Sequence, residues 1–273
     1  MIYIISLIII ILGSWYLWYQ DSSLSIRKHT VKTEKNIKEN IHIVHISDFH
    51  NTHIKKLRSD IIQHLRETKP DFIMITGDLI DSRRTDIDSA VAFVNEITEI
   101  APVYYVTGNH EMRSRRYHEI MERFASTKMH MLRNETVKIH GINLIGLDDL
   151  YLVPRDQRAA VFREEYQKLK DKDSFNMVLL HRPELFKAYC DNGADLVLSG
   201  HAHGGQFIIP GIGGILSPDQ GLFPKYTQGL HKHGHTVMIV SRGIGNSLFP
   251  FRVNNRPEII DITITADKNA VTE

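Results

Sequence analysis

The chain has 273 residues, 42% hydrophobic and 24% charged, which is globular composition and excludes a disordered, collagen-like or multi-span membrane chain. Its 33 Lys and Arg against 32 Asp and Glu leave a net charge of +1, so bulk charge gives no footprint for nucleic acid. The lone cysteine, Cys190, excludes a disulfide scaffold, a cysteine-ligated zinc site and a CxxC redox pair, whereas histidine is abundant at 16.

Residues 2–19 contain no charged side chain. As a helix they would reach ~27 Å, about the thickness of a bilayer core. Trp15, Tyr16, Trp18 and Tyr19 close the segment as an interfacial aromatic belt does. There is no basic leader and no small-residue cleavage motif, so residues 1–20 read as a transmembrane anchor rather than a signal peptide. Arg27, Lys28, Lys32, Lys35 and Lys38 follow the segment and no side-chain cation precedes it. That asymmetry places the body of the protein on the cytoplasmic face. Residues 21–40 are polar without hydrophobic periodicity and read as a juxtamembrane linker.

From residue 41 apolar runs alternate with helical patterns. Strands are expected at 41–47, 71–76 and 102–107, and helices at 54–67, 86–97 and 117–125. A hairpin at 136–147 should turn at His140-Gly141, followed by a helix at 155–169 and a strand at 176–180. A short helix opens at Pro183, and a strand covers 195–199. Beyond that the pattern is β-rich, with strands at 207–209, 236–241 and 258–265. The expectation is one α/β catalytic domain over 41–265, mixed sheets covered by helices, with a tail at 266–273.

Five polar motifs follow apolar strands: Asp48-Phe49-His50, Gly77-Asp78, Gly108-Asn109-His110-Glu111, His181, and Gly200-His201-Ala202-His203. Ligand sites in α/β sheets lie beyond the carboxyl ends of strands, where distant motifs converge. The donors are carboxylate, imidazole and amide, a nitrogen and oxygen set for manganese, iron, zinc or a similar divalent ion. They are too many for one tetrahedral ion and about right for two, with a carboxylate such as Asp78 able to bridge. Glycine before Asp78, Asn109 and His201 permits sharp turns and close approach.

Together, and in this order, the five motifs resemble the calcineurin-like metallophosphoesterase superfamily. Three segments of the tail resemble its membrane-anchored bacterial branch, which is similar to UDP-2,3-diacylglucosamine hydrolases. They are His203-Gly204-Gly205-Gln206, residues 221–225 and residues 241–245. The resemblance implies a two-sheet β-sandwich flanked by helices and a dinuclear hydrolase of phosphodiester or pyrophosphate bonds. It implies Asp48, His50 and His203 on one ion, Asn109, His181 and His201 on the other, and Asp78 between them. His110 would face the scissile phosphate rather than a metal. Manganese is the expected metal, with iron or zinc as alternatives, and the substrate is a phosphorylated small molecule or lipid. A phosphomonoesterase or protein phosphatase would share the same centre, and a scaffold that has lost catalysis would bind metal without turnover.

Other features have plainer readings. His118-Glu119-Ile120-Met121-Glu122 has Glu122 where a zinc-protease helix needs its second histidine. His231, His233 and His235 surround Gly234 as a polar hairpin tip would. Arg83, Arg84, Arg113, Arg115, Arg116, Arg182 and Arg242 follow or neighbour the motifs, and their forks suit phosphate oxygens. Of these, Arg115 and Arg116 are the expected substrate-binding pair. Residues 207–212 and 222–224 are apolar and read as a core strand with its turn, or as a membrane-facing lip. The burial of Ile212 and Phe223 decides between these.

Overall fold

Strands that lie between two layers read as continuous apolar runs, because both faces are buried. In the computed structural model, which describes residues 1–37, 40–246 and 249–267, such runs build the centre of each of two sheets. The chain opens with α1 (Ile2–Ser22) and β1 (Ser25–Thr33). Then come β2 (Ile41–Ile46), α2 (Lys55–Thr68), β3 (Phe72–Thr76), α3 (Ile87–Thr98) and β4 (Val103–Val106). They are followed by α4 (Asn109–Met112), α5 (Tyr117–Ala125), β5 (His130–Met131), β6 (Glu135–Ile139) and β7 (Ile142–Gly146). Next are α6 (Arg158–Leu169), β8 (Phe175–Leu179), α7 (Phe186–Asn192) and β9 (Leu196–Ser199). Two small hairpins come after that, β10 (Ile208–Ile209) with β11 (Gly213–Gly214), and β12 (Leu216–Ser217) with β13 (Gly221–Leu222). The chain closes with β14 (Gly229–His233), β15 (Thr236–Val240) and β16 (Glu258–Ala266).

The first sheet has the order β1-β16-β2-β3-β4-β5 and the second β14-β15-β9-β8-β7-β6. Strands β2, β3 and β4 run parallel, as do β7, β8 and β9, so each sheet gathers its strand ends on one edge. Alternate side chains divide between layers. Ile43, Met74, Met177 and Leu198 meet between the sheets, while Val44, Ile73 and Tyr105 pack under α2, α3 and α5. Ile145, Val178 and Met238 pack under α6 and α7. This is the expected two-sheet sandwich with helices outside.

Residues 25–33, expected to be part of a linker, instead form β1, paired in parallel with β16 from Ser25↔Glu258 to Thr33↔Ala266. Its outward face, Ile26, Lys28, Thr30 and Lys32, stands in water with charge on it, as edge strands do, and only Val31 and Thr33 are buried. Arg27 pairs with Glu258 at 2.9 Å and Lys35 with Asp195 at 2.7 Å, so both cations are engaged by the body of the protein. Lys38 and the tail beyond residue 267 lie outside the described residues.

Helix α1 is also not a free tether. Tyr16 Oη donates to Asn254 Oδ1 at 2.8 Å, Asn255 N donates to Gln20 Oε1 at 3.2 Å, and Arg252 N donates to Asp21 Oδ1 at 3.0 Å. The final turns of α1 therefore dock on the loop that leads into β16. The stretch from Ile2 to Leu12 is exposed at every large apolar position, and α1 is long and apolar enough to cross a membrane.

Candidate metal centre

Each expected metal ligand, and His110 with them, lies just beyond a strand end. Asp48 and His50 follow β2, Asp78 follows β3, and Asn109 and His110 open α4 behind β4. His181 follows β8, while His201 and His203 follow β9. Both sheets thus contribute to one cluster at their shared edge, and all eight residues are buried. Turning that sharply out of a strand has a conformational cost. Asp48, His50, Asp78, His201 and His203 all adopt positive φ, between 47° and 67°, where non-glycine residues are strained. The glycines permit the close packing behind them. A Cβ on Gly108 would fall 2.2 Å from Asp78 Oδ1, and one on Gly200 would fall 2.4 Å from Asp48 Oδ2.

His203 Nε2 lies 3.3 Å from Asp48 Oδ1 and 3.2 Å from His50 Nε2. His181 Nε2 lies 3.3 Å from Asp78 Oδ2, and His50 Nε2 lies 3.8 Å from the same oxygen. Asp48, His50 and His203 can converge on one ion, and Asp78, His181 and His201 on another. Asn109 belongs by its orphaned atom: its Oδ1 is buried without a hydrogen-bond partner.

The donor set fits divalent cations. His181 Nδ1 lies 2.6 Å from the carbonyl of Thr76 and must donate its proton there. Its Nε2 then turns a lone pair toward the Asp78 carboxylate, and that atom has no hydrogen-bond partner. Two facing lone pairs require a cation between them. Without one a proton substitutes: burial opposes charge on His181, yet Asp78 and Asp48 hold it up to about 10. Burial first, and then the neighbouring His110 ring, push His50 down to about 3 against the pull of Asp78 and Asp81.

Glu111, the last residue of its motif, has a scaffolding position. Its Oε2 accepts from Asp78 N at 2.9 Å and Gly108 N at 2.8 Å, and its Oε1 from Ile80 N at 3.1 Å. His110 N in turn donates to Asp78 Oδ1 at 2.7 Å.

A cavity of about 300 Å³ opens over the cluster, with Asp78, Asn109, His110 and His201 in its floor. Its basic wall differs from the expected one. Arg83 and Arg113 line it, whereas Arg115 and Arg116 are absent from its described lining. Arg116 is instead clamped to Glu119 at 2.6 Å on the exposed start of α5. Arg113 Nη2 donates to His110 Nε2 at 2.6 Å. Arg182 and Arg242 are buried rather than at the mouth, Arg182 paired with Asp149 and Asp219 and Arg242 with Glu258.

Two carboxylates escaped the sequence reading. Asp81 Oδ1 lies 3.1 Å from His110 Nδ1, and Asp219 Oδ2 lies 3.0 Å from His201 Nε2. Against burial, the His110 ring and the Arg83 N–H hold Asp81 well below the usual carboxylate range. Asp81 was discoverable, since it stands three residues after Asp78 in the same loop. Asp219 sits in the turn of the second small hairpin, and no apolar run or motif in the sequence marks it.

Two stacked sheets with a histidine–carboxylate cluster at their common edge define a metal-dependent phosphoester hydrolase. The family model for calcineurin-like phosphoesterases matches residues 41–205, and the chain belongs to that family. It is 28% identical over 232 residues to the uncharacterized metallophosphoesterase YkoQ of Bacillus subtilis, covering 81% of this chain and 83% of that one. It is 30% identical over 226 residues to the phosphodiesterase YaeI of Escherichia coli, covering 80% of this chain and 79% of that one. Among solved structures, TT1561 of Thermus thermophilus shares the fold with a TM-score of 0.52 at 14% identity, over 77% of this chain and 91% of that one.

Proposed function

We propose that this chain is a membrane-anchored, two-metal hydrolase of a phosphodiester or pyrophosphate bond, on a lipid or nucleotide-lipid substrate. That substrate class is suggested by the tail's resemblance to the membrane-anchored bacterial branch, some members of which resemble UDP-2,3-diacylglucosamine hydrolases. The observation that carries the catalytic part is the convergence of seven nitrogen and oxygen donors on one buried edge, with His181 Nε2 and Asn109 Oδ1 left without partners. Asp48, His50 and His203 would hold one divalent ion, and Asn109, His181 and His201 a second, with Asp78 between them. The donors suit manganese, with iron or zinc as the alternatives. When bound, the ions would supply positive charge to phosphoryl oxygens and acidify a water for attack.

The chain's own groups do the rest. Arg83 and Arg113 bind non-bridging oxygens at the cavity wall. Once Arg113 turns from His110 to the anionic substrate, His110, backed at Nδ1 by Asp81, takes a proton from solvent at Nε2 and delivers it to the leaving oxygen. Leu216 and Phe249 keep bulk water from the floor. Helix α1 would span the bilayer once, with the catalytic body on the cytoplasmic side by the cation count.

The test uses the full chain in detergent, stripped by chelation and reloaded with Mn²⁺. A chromogenic phosphodiester should be cleaved only with metal. Asp78→Asn should lower the rate by ~10³-fold or more, the worth of several kcal/mol of charge stabilisation. A preference for the matching monoester would move the reading to a phosphatase, and bound metal without turnover would move it to a scaffold.

A further inference from the structure

Four large apolar side chains stand in solvent on the two small hairpins that follow the last histidine motif. Ile212 is 64% exposed, Leu222 69%, Phe223 65% and Ile209 39%. Scattered singly, such residues need no explanation, but a cluster on adjoining hairpins does. No charged residue occurs between His203 and Asp219. Asp219 itself is turned inward onto Arg182 and His201. The core-strand reading of this segment therefore does not hold.

The hairpins are bonded to the site. Ile215 N donates to Gly205 O at 3.1 Å, and Phe223 N to Ile215 O at 2.8 Å, which ties them to the turn carrying His203. Leu216 and Ser217 of β12 line the cavity above Asp78 and His110, and their partner strand β13 carries Leu222. The level of the hairpins relative to α1 is also set. Tyr16, inside the aromatic cluster at the end of α1, donates to Asn254 Oδ1 at 2.8 Å. Asn254 Nδ2 donates to Ile208 O at 3.2 Å, and Ile208 N to Val253 O at 3.0 Å. Ile209 is thus the next residue along from a backbone group two hydrogen bonds away from the interfacial turn of the anchor.

We propose that β10–β13 form a membrane lip. Ile209, Ile212, Leu222 and Phe223 enter the leaflet at whose surface α1 emerges, and the exposed Lys225 meets anionic head groups beside them. The cavity then opens at the bilayer surface. It takes the phosphoester of an amphiphile whose acyl part stays in that leaflet. The proposal rests on the reading of α1 as an anchor and of the cavity as the phosphoester site.

The test uses the full chain in phosphatidylcholine–phosphatidylglycerol vesicles. In a Cys190→Ser background, Phe223→Cys is labelled with an environment-sensitive fluorophore. A second sample carries the label at Gln63→Cys on the exposed face of α2. The label at position 223 should be quenched by doxyl-labelled phospholipid and shielded from aqueous iodide, with the reverse at position 63. Iodide quenching at both positions overturns the lip. In parallel, Ile212→Ser with Phe223→Ser should lower cleavage of a vesicle-borne amphiphilic phosphodiester by ~10-fold or more, a fraction of the transfer free energy of two large apolar side chains. Cleavage of a water-soluble diester should be unchanged. Equal loss on both substrates, or on neither, also overturns the proposal. If the parent protein cleaves neither the soluble nor the vesicle-borne diester, the phosphoesterase reading fails, while the quenching data still decide the lip.

Discussion

Glu111 gives a count that can be checked. Its carboxylate is fully buried and accepts three backbone N–H groups, from Asp78, Ile80 and Gly108. Burial first, and then the Asp78 charge, push this carboxyl up to about 7, so no excess of favourable electrostatics explains its presence. Its contribution is the satisfaction of donors. In Glu111→Ala three buried N–H groups lose their acceptor. At ~1–3 kcal/mol for each unsatisfied group the ceiling is ~3–9 kcal/mol, reduced by any water that enters. In Glu111→Gln one oxygen remains. It can still serve Asp78 N and Gly108 N together, while its amide turns a donor toward Ile80 N. One group is orphaned, for a loss of ~1–3 kcal/mol. The expected order is therefore Ala well below Gln, with Gln below the parent. Urea denaturation of the full chain in detergent, followed by near-UV circular dichroism, would measure it. Chelator is kept in every sample so that metal binding does not add its own stabilisation. If glutamine and alanine destabilise equally, the carboxylate is not acting as a set of acceptors and the bond count is wrong.

Two further outcomes follow from the geometry. Arg113→Ala should raise KM for an anionic diester by ~10-fold, the worth of one charge-assisted contact, while Arg116→Ala leaves KM unchanged. Steady-state kinetics that show the opposite ranking would return the substrate contact to α5. His45, buried between the sheets and 2.7 Å from Thr76 Oγ1, is pushed down to about 3 by burial alone. Below its unfolded value of 6.5 the unfolded chain takes up a proton that the fold refuses. Stability present above pH 6.5 is then lost as pH falls toward 3, by up to ~1.4 kcal/mol per pH unit. His45→Gln should flatten that limb in pH-dependent melts, and an unchanged slope would refute the assignment.

The candidate metal ligands were legible because their signal is local. Each apolar run that ends in glycine, aspartate or histidine announces a strand that stops at an edge, and the parallel order then brings the ends together. What was illegible depends on distant partners. Strand β1 has the polar face of an edge strand, and its register is set by β16, more than two hundred residues later. Asp219 reaches His201 because the second small hairpin folds back onto the turn that carries His203. Arg115 and Arg116 were misleading for a related reason. Proximity in sequence to Asn109 and His110 does not survive the short helix α4, after which the chain turns outward and Arg116 finds Glu119. Arg113, still on the inner side of that turn, reaches His110.

The docking of α1 bears on how this protein can be handled. Asn255 meets α1 through its backbone N–H, which donates to Gln20, and its side chain, through Nδ2, holds the carbonyls of His203 at 2.7 Å and Gln206 at 2.9 Å. A candidate metal ligand and α1 are therefore linked through one asparagine. A shortened chain that begins after Ser22, the usual route to a water-soluble sample, removes the acceptors Gln20 and Asp21 and the hydroxyls of Tyr16 and Tyr19. It leaves the loop between β15 and β16 held from one side only. Kinetic constants obtained on such a fragment would describe a slackened histidine turn, and crystals grown from it would show that turn relaxed from its working shape.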